Sequence, residues 1–251
     1  MKIGFTSNSF RQIKSLNKIV EIAVDSGAEC IEWSGDVHVK SVADAEIAKN
    51  LCHKAGVKIC SYGSYYRVGS KNAAEWQSVC KIASALGAAS IRVWLGKADS
   101  QKTDAETYTD LLEDTKAICA AAEKYGLIVC PECHDNTYNN NTDAFLKIRE
   151  DTGSENFRTY FQSRYRRKEY DLDRIERTIP YIENVHVSFF DMRREQFPKC
   201  DSGYMNTILE KLLLLGFSGA VLVEFTYPGF KRGLPCAMKR DIAKLKTITD
   251  K

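Results

Sequence analysis

The 251-residue sequence predicts an α/β chain folded as a single-domain (β/α)8 barrel. An amphipathic stretch that ends at a glycine and runs into a short apolar segment recurs along the chain, the pattern of a helix closed by a left-handed residue and followed by a strand. The apolar segments number eight, at roughly 31 residues per unit, the size of one βα repeat. Strands separated by helices must pair in parallel. No Pro-, Gly- or Ser-rich linker divides the chain. A doubly wound sheet is the competing architecture, but it calls for a Gly-rich phosphate loop after its first strand, where this chain has Thr6-Ser7-Asn8-Ser9.

The opening strand is Ile3 to Ser7. Ile19 to Val24 is the first amphipathic stretch, ending at Gly27 before the strand Glu29 to Trp33. Ile47 to Ala55 leads through Gly56 to Val57 to Tyr62. Val79 to Leu86 leads through Gly87 to Ser90 to Trp94. Leu111 to Tyr125 leads through Gly126 to Leu127 to Cys130. Phe157 to Gln162 is the sixth strand, and Asn184 to Phe189, after a helix over Asp173 to Ile182, the seventh. Ile208 to Leu215 leads through Gly216 to the last strand, Ala220 to Glu224.

Composition narrows the function. Hydrophobic residues make 44% and charged residues 27%, globular values that exclude general disorder. A net charge of +3 is too balanced for a chain devoted to nucleic acid or an anionic membrane. No run reaches about 18 apolar residues, so no transmembrane helix is expected. The start Met1-Lys2-Ile3-Gly4-Phe5 does not read as a signal peptide, and a cytoplasmic location is expected. Nine cysteines then read as reduced thiols in apolar positions, not as a disulfide framework. Cys130-Pro131-Glu132-Cys133 is formally C-x-x-C. It leads into an Asn-rich loop instead of a helix, its two cysteines have opposite parity on a strand, and no second such pair would complete a zinc knot.

In a barrel of this kind the active site lies at the C-terminal strand ends. The fifth strand leads to Glu132 and His134, which share parity. The sixth ends at Gln162, the seventh carries His186, and the eighth closes with Glu224. A carboxylate at the end of an apolar strand is costly to bury unless it is paired or metal-bound. Two Glu, one His and an amide oxygen from four consecutive strands suit a divalent ion such as Mn, Zn, Co or Mg, with positions left for vicinal substrate oxygens. Singly, Glu224 could pair with a loop cation, His186 could be a satisfied core histidine, and Glu132 could serve a helix start. The barrel axis is what unites them.

Trp33 at the end of the second strand and His38 after it, Tyr62 at the end of the third, and Arg92 and Trp94 on the fourth supply aromatic walls and hydrogen-bonding groups, as a sugar or polyol site needs, although Trp33 and Trp94 could equally be ordinary strand-end packing. Arg92 is the most telling, because an interior cation requires a partner: Glu32, Glu132 or a substrate oxygen. Arg193 and Arg194, after the seventh strand, could meet a phosphate or carboxylate, or be a solvated loop. The Arg164 to Lys168 cluster reads as a solvated basic face.

Glu32-Trp33-Ser34-Gly35-Asp36-Val37-His38, Glu132-Cys133-His134-Asp135-Asn136-Thr137, His186-Val187 and Glu224 together resemble the xylose isomerase-like TIM-barrel superfamily, the sugar phosphate isomerases and epimerases, from Ile3 to Tyr227. The resemblance implies a divalent metal held by Glu132, Gln162, His186 and Glu224, with Gln162 standing where the epimerase branch has Asp. It implies that Glu132 and Glu224 also move the proton. The implied reaction is isomerisation or epimerisation of a sugar or sugar phosphate. Trp33, His38, Tyr62, Arg92, Trp94, His134 and Arg193 would line the substrate. An inosose dehydratase-like lyase and a catalytically degenerate sugar-binding barrel are the alternatives. An endonuclease IV-like activity would need more His and Asp ligands than four histidines readily provide. Neither a nucleic-acid nor a membrane partner is expected, and a homodimer would be usual for such a barrel.

Overall fold

The computed structural model describes residues 1–163, 168–189, 202–226 and 234–249. Strands β1 (Lys2–Thr6), β2 (Cys30–Ser34), β3 (Lys58–Val68), β4 (Ser90–Leu95), β5 (Ile128–Pro131), β6 (Thr159–Gln162), β7 (Ile182–Ser188) and β8 (Ala220–Phe225) alternate with helices. These are α1 (Leu16–Ser26), α2 (Val42–Ala55), α3 (Ala73–Leu86), α4 (Ala105–Glu123), α5 (Thr142–Thr152), α6 (Lys168–Thr178), α7 (Ser202–Leu214) and α8 (Leu234–Thr249). The sheet order is β5-β4-β3-β2-β1-β8-β7-β6, with every pairing parallel. The barrel closes between β5 and β6 through a bridge from Val129 to Phe157. There the Val129 amide donates to Asn156 (2.8 Å) and the Arg158 amide to Val129 (2.9 Å). The (β/α)8 barrel is therefore present, and the doubly wound sheet is not.

The helices carry the signals expected of them. Ser15, Ser41, Asn72, Asp104 and Asn141 each accept a backbone amide three residues on, satisfying donors that a helix start leaves unpaired. Gly27 and Gly87 close α1 and α3 in the left-handed region, as the repeat implied. Helix α1 turns Ile19, Val20, Ile22 and Ala23 onto the barrel, a stripe at helical spacing.

Strand alternation sorts the core into two zones. One set packs between strands and helices, including Phe5, Ile31, Trp33, Val93 and Val221. The other, Cys30, Cys130, Tyr160, Ala220 and Leu222, forms a separate cluster. Eight cysteines are free among the described residues. Burial pushes the Cys119 thiol up to about 12, so it behaves as a small apolar side chain. No described helix is long and apolar enough to cross a membrane.

Candidate active site

The even-numbered residues of β4 and of β6 to β8 project toward one another at the C-terminal end of the barrel. Arg92 lies between two carboxylates, its Nε donating to Glu32 Oε1 (2.9 Å) and its Nη1 to Glu132 Oε2. All three side chains are at most 3% exposed, so this is a desolvated ion triad and not a surface pair. The close approach depends on Gly63: a Cβ there would stand 2.9 Å from Arg92 Nη2 and 3.2 Å from Glu32 Oε1. The Trp94 indole donates to the same Glu132 oxygen at 2.7 Å.

Glu32 also accepts the Tyr160 hydroxyl (2.6 Å) and faces His186 Nε2 at 3.3 Å. Asn184, one inward position before His186, donates to the Tyr160 oxygen at 3.0 Å. His186 is thereby held from below through Nε2, and its Nδ1 points to Glu132 Oε1 (3.5 Å) and Glu224 Oε1 (3.7 Å). Glu224 is placed by its strand end, where its carbonyl accepts Thr6 Oγ1 (3.3 Å) and the Ser9 hydroxyl. Gln162 donates to Glu224 Oε2 at 3.0 Å. Each candidate carboxylate thus has one oxygen occupied by a donor and the other turned toward the imidazole.

These groups shape one another's protonation. Burial would raise the Glu32 pKa, but Arg92, His186 and Tyr160 outweigh it and bring it to about 2. The same opposition, with Arg92 first among the favourable charges, holds Glu132 well below the usual carboxylate range. For Glu224 burial wins, and despite His186 it is pushed up to about 7, with Glu132 adding like-charge repulsion. Burial would lower His186, yet Glu32, Glu224 and Glu132 raise it to about 10.

One ligand atom from each of Glu132, His186 and Glu224 lies within 4.8 Å of the others. The donor chemistry fits a cation. His186 Nδ1 and Gln162 Oε1 are buried without a hydrogen-bond partner, and a metal would satisfy both. Glu32 on Nε2 supplies the outer carboxylate that a metal-binding histidine commonly has.

The expected substrate-lining residues divide. Trp94 is half-buried at the mouth, with His134 stacked on it (centroids 5.2 Å, planes 16° apart). The His134 Nδ1 lies 2.6 Å from the Asp135 carbonyl. Trp33, His38 and Tyr62 are corrections. Because Glu32 faces inward, Trp33 faces outward and is fully buried in the core between strands and helices. Tyr62 pairs with it in register, and its hydroxyl donates to the Val39 carbonyl at 3.0 Å. His38 is a buried core histidine, edge-on to Trp33 with Nε2 2.8 Å from the Ile13 carbonyl. Arg92 gives Nε and Nη1 of its guanidinium to Glu32 and Glu132, two of the partners expected for it. Arg193 and Arg194, and most of the basic cluster from Arg164, lie outside the described residues. Tyr160, Asn184, Tyr65 and Arg67 were not anticipated. Counting back in twos from Gln162 and His186 would have found the first two.

Fold and site together define a parallel (β/α)8 barrel with a buried carboxylate–imidazole cluster at its C-terminal mouth. The chain belongs to the xylose isomerase-like TIM-barrel family, whose model matches residues 20–248. Its fold is similar to that of the protein described as the probable 3-DHS dehydratase AsbF of Bacillus anthracis (17% identity, 98% of this chain and 99% of that one, TM-score 0.79). It is also similar to D-psicose 3-epimerase of Clostridium cellulolyticum H10, solved with D-tagatose (15%, 99% and 98%, TM-score 0.74). A third similar structure is the IolI protein with a bound zinc atom (15%, 99% and 96%, TM-score 0.75). No curated protein matched the sequence.

Proposed function

We propose that this chain is a metal-dependent isomerase or epimerase of a sugar or related polyol ketone, with Glu132, Gln162, His186 and Glu224 holding the cation. The observation that carries the reading is the pair of free carboxylate oxygens, Glu132 Oε1 and Glu224 Oε1, converging on a buried His186 Nδ1 that lacks a hydrogen bond. A divalent ion held there would polarise a carbonyl and acidify the neighbouring C–H. Glu132 and Glu224 enter from β5 and β8, either side of β6 and β7, so one can take a proton from the substrate carbon and the other return it. Arg92 and Trp94 hold Glu132 in place, and Gln162 does the same for Glu224. Trp94 and His134 bring a stacked aromatic pair to the mouth. The family membership and the fold shared with an epimerase support this class of chemistry.

The test is proton exchange at the α-carbon of a panel of ketoses, inososes, ketose phosphates and hydroxyketo acids in deuterated water. Wild type should incorporate deuterium, lose this on EDTA treatment and regain it with Mn2+, Co2+ or Zn2+. Glu224→Gln should bind metal weakly and not exchange while remaining folded. Exchange that persists undiminished in Glu224→Gln would overturn the mechanism. A dehydratase, favoured by the fold shared with AsbF, begins with the same proton removal and is recognised by water loss in the product.

A further inference from the structure

Strand β3 runs well past Tyr62, and the extension puts Arg67 at the mouth, beside Trp94 in the register of β4. The Arg67 guanidinium lies 4.0 Å over the centre of the Trp94 ring, a cation–π distance. Its Nη1 donates to the Gly96 carbonyl at 2.9 Å. Trp94 in turn donates to Glu132, so one indole links this cation to the carboxylate cluster. Arg67 is half-buried, and among the described residues it has no carboxylate within salt-bridge distance. The other mouth arginines do: Arg92 has Glu32 and Glu132, and Arg11 has Asp36 at 2.5 Å. Burial lowers the affinity of Arg67 for its proton, with no opposing charge to restore it.

A half-buried guanidinium held flat by stacking, with the rest of its fork unused, is built for a planar or tetrahedral oxyanion. The charge balance agrees. Glu32, Glu132 and Glu224 carry three negative charges when ionised, and Arg92 with a divalent ion would cancel them. Arg67 stands outside that balance, with no carboxylate at salt-bridge distance among the described residues. Tyr65 adds to the picture of a shaped corner: it sits in the left-handed region (φ 60°), where only a constrained non-glycine residue stays, and its ring lies 6.0 Å from Trp94.

Building on the reading above, we propose that Arg67 recognises an anionic group on the substrate, a carboxylate or a phosphate, so that the substrate is an acidic hydroxyketone and not a neutral ketose. The test follows the Arg67 side-chain 15Nε–1H resonance, identified by its loss in Arg67→Met. The full chain is titrated separately with inorganic phosphate, acetate and chloride at matched ionic strength, after EDTA treatment and again with Zn2+. Phosphate or acetate should give a saturable shift that chloride does not, and which of the two does so assigns the group. Calorimetry should show about a tenfold or greater loss of that anion's affinity in Arg67→Met, the scale of one charge-assisted hydrogen bond. Arg67→Lys should recover part of it. An equal response to all three anions, no response to any, or unchanged affinity in Arg67→Met overturns the proposal. The metal-free arm keeps the two readings apart: absent metal binding or proton exchange sinks the isomerase reading alone, and an indifferent Arg67 sinks this one alone.

Discussion

Replacing Arg92 by Met tests the buried triad directly. The substitution keeps most of the apolar stem and removes the guanidinium that hydrogen-bonds both Glu32 and Glu132, whose side chains are 1% and 2% exposed. Taking one partner out of a buried ion pair costs about 3–5 kcal/mol, because the other charge is left desolvated. For a domain of this size that is a fall in Tm of about 6–20 °C. The loss must depend on pH. In wild type Glu32 has a folded pKa of about 2 against 4.5 unperturbed, so its stabilisation is present above 4.5 and fades as pH falls toward 2. Without Arg92 the largest favourable charge is gone and burial lifts the folded pKa from about 2, so the penalty grows as pH rises from 2 through 4.5. Urea denaturation of EDTA-treated wild type and Arg92→Met, near pH 3 and near pH 7, reads both effects. A penalty below about 0.5 kcal/mol, within the range of an ordinary surface change, or one equal at the two pH values, would refute the claim that Arg92 neutralises these carboxylates.

Two further outcomes are expected. Glu32→Gln removes the carboxylate that steadies His186 through Nε2 and should weaken Co2+ binding about 10–100-fold; cobalt absorption titration measures it, and unchanged affinity would mean His186 is oriented by other contacts. In the metal-free protein His186 titrates near 10 and Glu224 near 7, so at neutral pH a cation must displace at least one proton. Zn2+ affinity should therefore rise between pH 6 and pH 9, with calorimetric enthalpies that vary with buffer ionisation heat; a flat profile would contradict protonation of the free cluster.

The legible part of the site followed from parity and position. Glu132, His134, Gln162, His186 and Glu224 were found because each stands at or near a strand's C-terminal end, where the barrel gathers chain-distant residues. The same rule failed at Trp33 and Tyr62, since the sequence does not say which of two adjacent strand residues faces inward. Glu32 settles the question: a carboxylate can be buried inside the barrel only where Arg92, Tyr160 and His186 meet it, and its neighbour Trp33 must then point outward. His38 was misplaced for another reason, because its partner is a backbone carbonyl at Ile13, and a carbonyl leaves no signature in composition.

The sequence by itself determined the repeat: local capping residues, glycine helix ends and apolar runs act over a few residues and specify βα units. It determined the count of units as well, and with it a barrel. Only the tertiary structure decided the direction of Arg92, shared between two carboxylates, and the lack of a carboxylate partner for Arg67 among the described residues, because pairing depends on distances of a few ångströms between residues far apart in the chain. The length of β3 belongs with these: pairing with β4 continues past an irregular register to Arg67 and Val68, and that cross-strand support is invisible in the residues of β3 alone.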